Sequence, residues 1–146
     1  MDYIVEEPID LADLLGKYHH PKAGAVVLFS GEARNHHMGK AVDFLEYESY
    51  KPMAERVIRE IVDEAMVRWE LHQAICIHRV GRVDISMTAV VVITTASHRE
   101  EAYAANRYII DRVKKDVPVW KKEHFSDGTS EWTGCDHCME VQAAQH

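Results

Sequence analysis

Residues 87–95 read MTAVVVITT, and the reading of this stretch decides the fold. It is almost continuously apolar, the pattern of a strand buried on both faces, so it is expected at the centre of a sheet. A second strand, Ala74 to Val80, precedes it, with a turn around Gly81 between them. Directly after it, Ser97 and Glu100 form a capping-box pattern that opens a long helix reaching about Lys115. Pro118 stops that helix, because the residue before a proline resists the α region. Val117 to Phe125 then reads as a strand, and Asp127-Gly128 as a turn.

The upstream half repeats the theme. Asp10 caps a short helix over Leu11 to Lys17. Ala25 to Ser30 reads as a buried strand, Glu32 to Lys40 as a loop, and Val42 to Ser49 as a strand antiparallel to the first. Pro52 sits at a helix start, and Ala54, Val57, Ile58, Ile61, Ala65 and Trp69 follow as an amphipathic stripe. Two long helices and about five strands, mostly antiparallel, give an α+β domain.

The chain has 146 residues, 47% hydrophobic and 28% charged, with a net charge of −7. That suits one globular domain and argues against disorder or a coiled coil. The longest largely apolar run, 89–96, is far short of the roughly 18 residues of a membrane span. No signal peptide is visible, and three cysteines do not make a disulfide framework, so a cytoplasmic setting is expected. The charge is uneven. Residues 123–146 hold five acids and no Lys or Arg, whereas His98 to Lys122 holds seven bases against four acids. An acidic chain with one local basic patch suits a small anionic ligand better than nucleic acid.

Phosphate-loop, dinucleotide, HExxH and GxSxG motifs are absent. What remains is a set of cations at element boundaries. His98 and Arg99 open a helix, where free N–H groups already favour anions; cations there do nothing for the helix itself. Arg34 follows a strand in a loop. Lys114 and Lys121 flank Pro118, and two close ammonium groups depress each other's pKa. Lys114 and Lys115 also fit simple compensation of the helix dipole. Cys135, His137 and Cys138, with His124, make an incomplete zinc pattern; Cys76 and His78 read as core residues.

The ordered set FSGEARNH (29–36), LEYE (45–48), IHRVG (77–81), Ser97-His98-Arg99, Asp111 to Lys114, PVWKKE (118–123), Asp127-Gly128 and Trp132 resembles the large, catalytic subunit family of molybdopterin synthase. The resemblance spans about residues 23–133. It implies an α/β hammerhead-type fold over 1–133, followed by an acidic tail over 134–146. It implies a homodimeric core of a heterotetramer and a small ubiquitin-like partner whose C-terminal thiocarboxylate gives sulfur to cyclic pyranopterin monophosphate. No cofactor or metal is implied, and neither is nucleic acid or a membrane. Lys114 and Lys121 fall on the catalytic positions; Glu32, Ala33, Arg34, His98, Arg99, Lys122 and Glu123 fall on substrate-contacting ones. One departure stands out: many members carry an Arg four residues after the tail Trp, where this chain has Asp136. A noncatalytic dimer that binds a phosphorylated metabolite and a zinc-binding interaction module are the competing readings.

Helix length adds one expectation. Arg99 and Lys114 are fifteen residues apart, about 22 Å at 1.5 Å per residue, and no Gly or Pro lies between Ser97 and Lys115 to break the helix. One small-molecule pocket cannot easily span that distance. A site shared between two chains is therefore expected, with the lysines from one and His98, Arg99 from the other.

Overall fold

The computed structural model describes residues 2–134. Its centre is β7 (Thr88–Ala96), in which all nine residues are buried. β7 lies antiparallel between β5 (Gln73–Arg79) and β2 (Ala25–Glu32), and β1 (Ile4–Val5) adds a parallel outer strand to β5. The expected central position follows from composition: a largely apolar strand without a charged side chain on either face needs cover on both.

That cover comes from three helices. α2 (Lys51–Arg68) and α3 (Arg99–Asp116) pack on one face. Their buried stripes are Ala54, Ile58, Ile61, Val62, Ala65 and Ala102, Ala105, Ile109, Ile110, Val113. The opposite face, with Ile75, Ile77, Val91 and Ile93, is covered by Leu11 and Leu14 of α1 (Leu11–Lys17) and by Ile9 and Tyr18. Asp10 caps α1 through the Asp13 amide. Two buried polar side chains beneath α3 are paired. Asn106 donates to the carbonyls of Val27 and Val92, and the Thr94 hydroxyl donates to that of Ala102. These bonds fix α3 in register over β2 and β7, since an unmade bond here leaves a desolvated group at a cost of about 1–3 kcal/mol. Glu55 of α2 accepts from the Tyr3 and Ile4 amides and holds β1 in place.

The second sheet departs from expectation. β2 and β4 (Lys40–Ser49) are not paired. β4 instead lies between β8 (Val119–Phe125) and β6 (Gly81–Asp84), while β3 (His36–His37) joins its beginning and β9 (Ser130–Gly134) joins β8. Two local features redirect the chain. A bulge at Gly31/Glu32 ends the β2 ladder, and the Ala33 amide turns away to the Met87 carbonyl. Met38 and Gly39, with φ of 49° and 82°, then close a tight hairpin that starts β4 beside β3. Both edges of residues 44–47 are occupied, by β6 and by β8, so no edge is left for β2 there. β6 had read as part of a turn and β3 as loop, and no strand was expected over Ser130–Gly134.

Ser97 is not the helix cap. The N-cap of α3 is His98, with no side-chain cap bond, and the Ser97 hydroxyl meets His72 Nε2 at 3.0 Å. No helix among the described residues is long and apolar enough to cross a membrane. Cys135, Asp136, His137 and Cys138 lie outside the described residues. His124, their suggested companion, stacks on Phe44 and contacts Glu46 Oε1 at 2.8 Å.

Candidate active site

A cleft of about 560 Å³ opens where the two sheets meet beneath the C-terminal end of α3. Arg34 enters it from just past the bulge that ends β2. Lys114 reaches it from the last turn of α3, and Lys121 and Glu123 from alternate positions of β8. Glu32 lines the same wall as Arg34. Pro118 stops α3 after Lys114 and turns the chain into β8, so residues seven apart in sequence face one cavity.

The electrostatics of this cavity are set by its depth. The Lys121 ammonium is pushed below its ordinary pKa mainly by burial; the charges of Lys114 and Arg34 push the same way, and Glu123 opposes them. Glu123 is 2% exposed, and its Oε1 has no hydrogen-bond partner; His37 Nδ1 lies 3.8 Å from it. Burial, together with the Glu123 charge, pushes the Tyr47 hydroxyl up to about 12, so it stays protonated. His78 is buried, which lowers its pKa to about 4. Its Nδ1 lies 2.8 Å from the Arg79 carbonyl. A carbonyl only accepts, so Nδ1 carries the proton and Nε2 of the neutral ring is an acceptor.

Tyr47, His78 and Trp120 also line the cleft. Sequence reasoning did not place them there. His78 read as a core histidine and is one, at 8% exposure; Tyr47 carries no local signal beyond its strand.

The other expected site residues lie elsewhere. Ala33 is buried in the apolar cluster beneath the second sheet, at 3% exposure, and its carbonyl accepts from Ser86. Lys122 does not line the cleft and stands 5.5 Å over the Trp132 ring. His98 and Arg99 are exposed at the opposite end of α3 and do not line the cleft. Their corner is fixed by close packing: a Cβ at Gly24 would stand 2.4 Å from the Ser97 carbonyl oxygen.

Fold and cleft together define an α+β enzyme domain with a cationic, half-buried pocket. The model of the family described as MoaE protein matches residues 4–116, and the chain belongs to that family. A Staphylococcus carnosus relative, "Molybdopterin synthase catalytic subunit", is 44% identical over 131 residues, covering 90% of this chain and 87% of the relative. The crystal structure of molybdopterin synthase from Staphylococcus aureus aligns with a TM-score of 0.85 at 40% identity, covering 91% of this chain and 96% of that one. A complex of subunits 1 and 2 of molybdopterin-converting factor from Helicobacter pylori shares the fold. Its TM-score is 0.73 at 18% identity, over 91% of this chain and 88% of that chain. The chain is thus an enzyme of the molybdopterin synthase catalytic-subunit type, acting in molybdenum cofactor biosynthesis.

Proposed function

We propose that this chain takes sulfur from the C-terminal thiocarboxylate of a small ubiquitin-like partner and delivers it to cyclic pyranopterin monophosphate. The observation that carries the proposal is the convergence of Lys114, Lys121, Arg34 and the buried, half-unsatisfied Glu123 on one cleft. Each has a task in that reaction. Lys114, a fixed cation at the cleft wall, orients the thiocarboxylate and stabilises charge that develops at its carbonyl. Lys121, with its depressed pKa, gives up and regains a proton nearer neutral pH than an ordinary lysine. The free oxygen of Glu123 accepts an N–H from the substrate ring, and Arg34 binds its phosphate. The donor brings an already activated sulfur, so no cysteine nucleophile is needed; the Cys76 thiol, fully buried, is pushed up to about 12.

The partner's extended tail runs along the wall formed by Val117 to Phe125 toward Lys114. Two chains form the core of a heterotetramer, and each cleft is completed by His98 and Arg99 of the other chain, which add cations for the phosphate. Ala33 and Lys122 take part from beside the cleft, Ala33 by shaping the backbone that carries Arg34. The setting is cytoplasmic.

Incubation of purified chain with a thiocarboxylated small partner and the cyclic monophosphate tests this. Formation of the dithiolene product, with conversion of the partner's thiocarboxylate to carboxylate, is expected. Tight binding of the phosphorylated substrate without turnover would identify a binding module instead.

A further inference from the structure

Two residues that line the cleft, His78 and Tyr47, have no task in the proposed sulfur transfer. His78 lies on β5 opposite Val90 of β7, with its backbone amide bound to the Tyr3 carbonyl. Tyr47 lies on β4 between Gly81 of β6 and Lys121 of β8. Their rings meet edge to face with centroids 4.9 Å apart, and both share the cleft with Lys114.

The pair has a fixed hydrogen-bonding character. Nδ1 of His78 is committed to the Arg79 carbonyl, so Nε2 is an acceptor. The ring stays neutral because burial and the Lys114 charge both oppose a second proton. The Tyr47 hydroxyl keeps its proton and is a donor. Among the described residues, neither Nε2 nor this hydroxyl is bound to another side chain or to the backbone. One neutral acceptor beside one neutral donor is the complement of a single peptide group, whose N–H donates and whose C=O accepts.

We propose that His78 and Tyr47 hold the last peptide link of the small partner's tail, its N–H on His78 Nε2 and its C=O on the Tyr47 hydroxyl, and so position the thiocarboxylate at Lys114. The inference rests on the sulfur-donor reading above and adds positioning residues to it. Adjacency supports it. Only an α-carbon separates that N–H from the thiocarboxylate carbon, and His78 is close enough to Lys114 to feel its charge. Neutrality supports it too. Glu32 and Glu123, also in the cleft, are carboxylates, and a carboxylate beside an anionic tail end repels it. A protonated imidazole would compete with Lys114 for the same anion. The neutral His78 ring does neither. Val90, Ile110 and Val113 add an apolar wall to the cleft, where hydrogen bonds face less competition from water. The substrate ring also presents N–H and C=O groups, and the test separates the two ligands.

That test uses the full chain and the small partner in its carboxylate form, which binds without reacting. Dissociation constants are measured by calorimetry, and KM for the cyclic monophosphate with thiocarboxylated partner in excess. Two variants divide the roles of the histidine. An Asn amide reaches the Nδ1 position and a Gln amide the Nε2 position. His78→Asn therefore keeps the bond to Arg79 and loses the cleft acceptor, and His78→Gln does the reverse. His78→Asn and Tyr47→Phe are expected to weaken the partner about three- to tenfold, the effect of one neutral hydrogen bond, and His78→Gln less than about twofold. KM for the cyclic monophosphate should not move. An ester in place of the partner's last amide should weaken binding to the parent chain and cost less in His78→Asn. The opposite order, with Gln weakened and Asn intact, would make His78 purely structural and overturn the inference. So would a raised KM at unchanged partner affinity, which would give the pair to the substrate. If the parent chain binds and turns over and every variant matches it, this inference alone fails. If the parent chain neither binds the partner nor forms product, the sulfur-donor reading fails with it.

Discussion

The two ends of α3 carry cations in opposite settings. At the C-terminal end, Lys114 lines a cleft beside the half-buried Lys121, and the helix dipole favours its charge. At the N-terminal end, His98 and Arg99 are exposed, do not line that cleft, and sit where the dipole opposes them. Fold stability accounts for the first pair of features and not for the second. The difference teaches that the two ends must be judged by different measurements: the lysine end by chemistry within one chain, the arginine end by what another chain presents to it.

The lysine end should give the largest effect. Lys114→Ala is expected to lower kcat at least about a hundredfold, since a preorganised charge-stabilising group contributes about 3–4 kcal/mol. Its circular dichroism and melting should stay close to those of the parent. A folded variant with near-normal turnover would end the assignment.

Next comes the buried floor of the cleft. His78 titrates near 4 in the fold against 6.5 in the unfolded chain, so the unfolded state binds more protons between those values. Stability is then full above about pH 6.5 and falls as pH drops toward 4, by about 3 kcal/mol on that shift. Urea midpoints measured across this window check the sign, and His78→Gln should flatten the dependence. An unchanged slope in the variant would mean that other groups govern it. Lys121 has the same sign: its folded pKa lies below the ordinary 10.5, so any alkaline limb of activity that depends on it falls below that value. Lys121→Arg, which cannot deprotonate, should remove that limb.

The far end of the helix is expected to matter less, and differently. Arg99→Ala loses charge-assisted bonds to a phosphate, about 1.5–3 kcal/mol, and should raise KM for the substrate without weakening binding of the small partner. The reverse pattern, intact substrate affinity with a weakened partner, would remove Arg99 from the site. The smallest effect belongs to Lys115, adjacent to Lys114 but absent from the cleft lining. Lys115→Ala should cost only the dipole contribution of about 0.3–1 kcal/mol in stability and leave turnover unchanged.

Much of this was legible from side-chain pattern. The apolar run of β7 and the stripes of α2 and α3 announce themselves because burial imposes a period on the sequence. Strand partners do not announce themselves. Ala25 to Ser30 and Val42 to Ser49 read as a hairpin, yet a bulge and the Met38-Gly39 turn, each a local backbone event, send them to different sheets. β6 and β9 are too short to show a period, at four and five residues. Within the site, Arg34, Lys114 and Lys121 stood out as charges at element boundaries, and Glu32 and Glu123 were marked by the family resemblance alone. Tyr47 and His78 fall within the family segments LEYE and IHRVG but were not assigned to the site, since their presence in the cleft depends on how the two sheets meet.

The central claim is that one cleft draws on both ends of α3 through two chains, and subunit mixing tests it most directly. Lys114→Ala and Arg99→Ala chains are assayed at a substrate concentration far below the raised KM of Arg99→Ala, where each alone retains only a small fraction of the parent rate, and are exchanged until mass spectrometry shows mixed dimers. Each mixed dimer holds one intact cleft and half of the dimers are mixed, so about a quarter of the parent activity should return. No recovery in a sample with proven exchange would contradict the account.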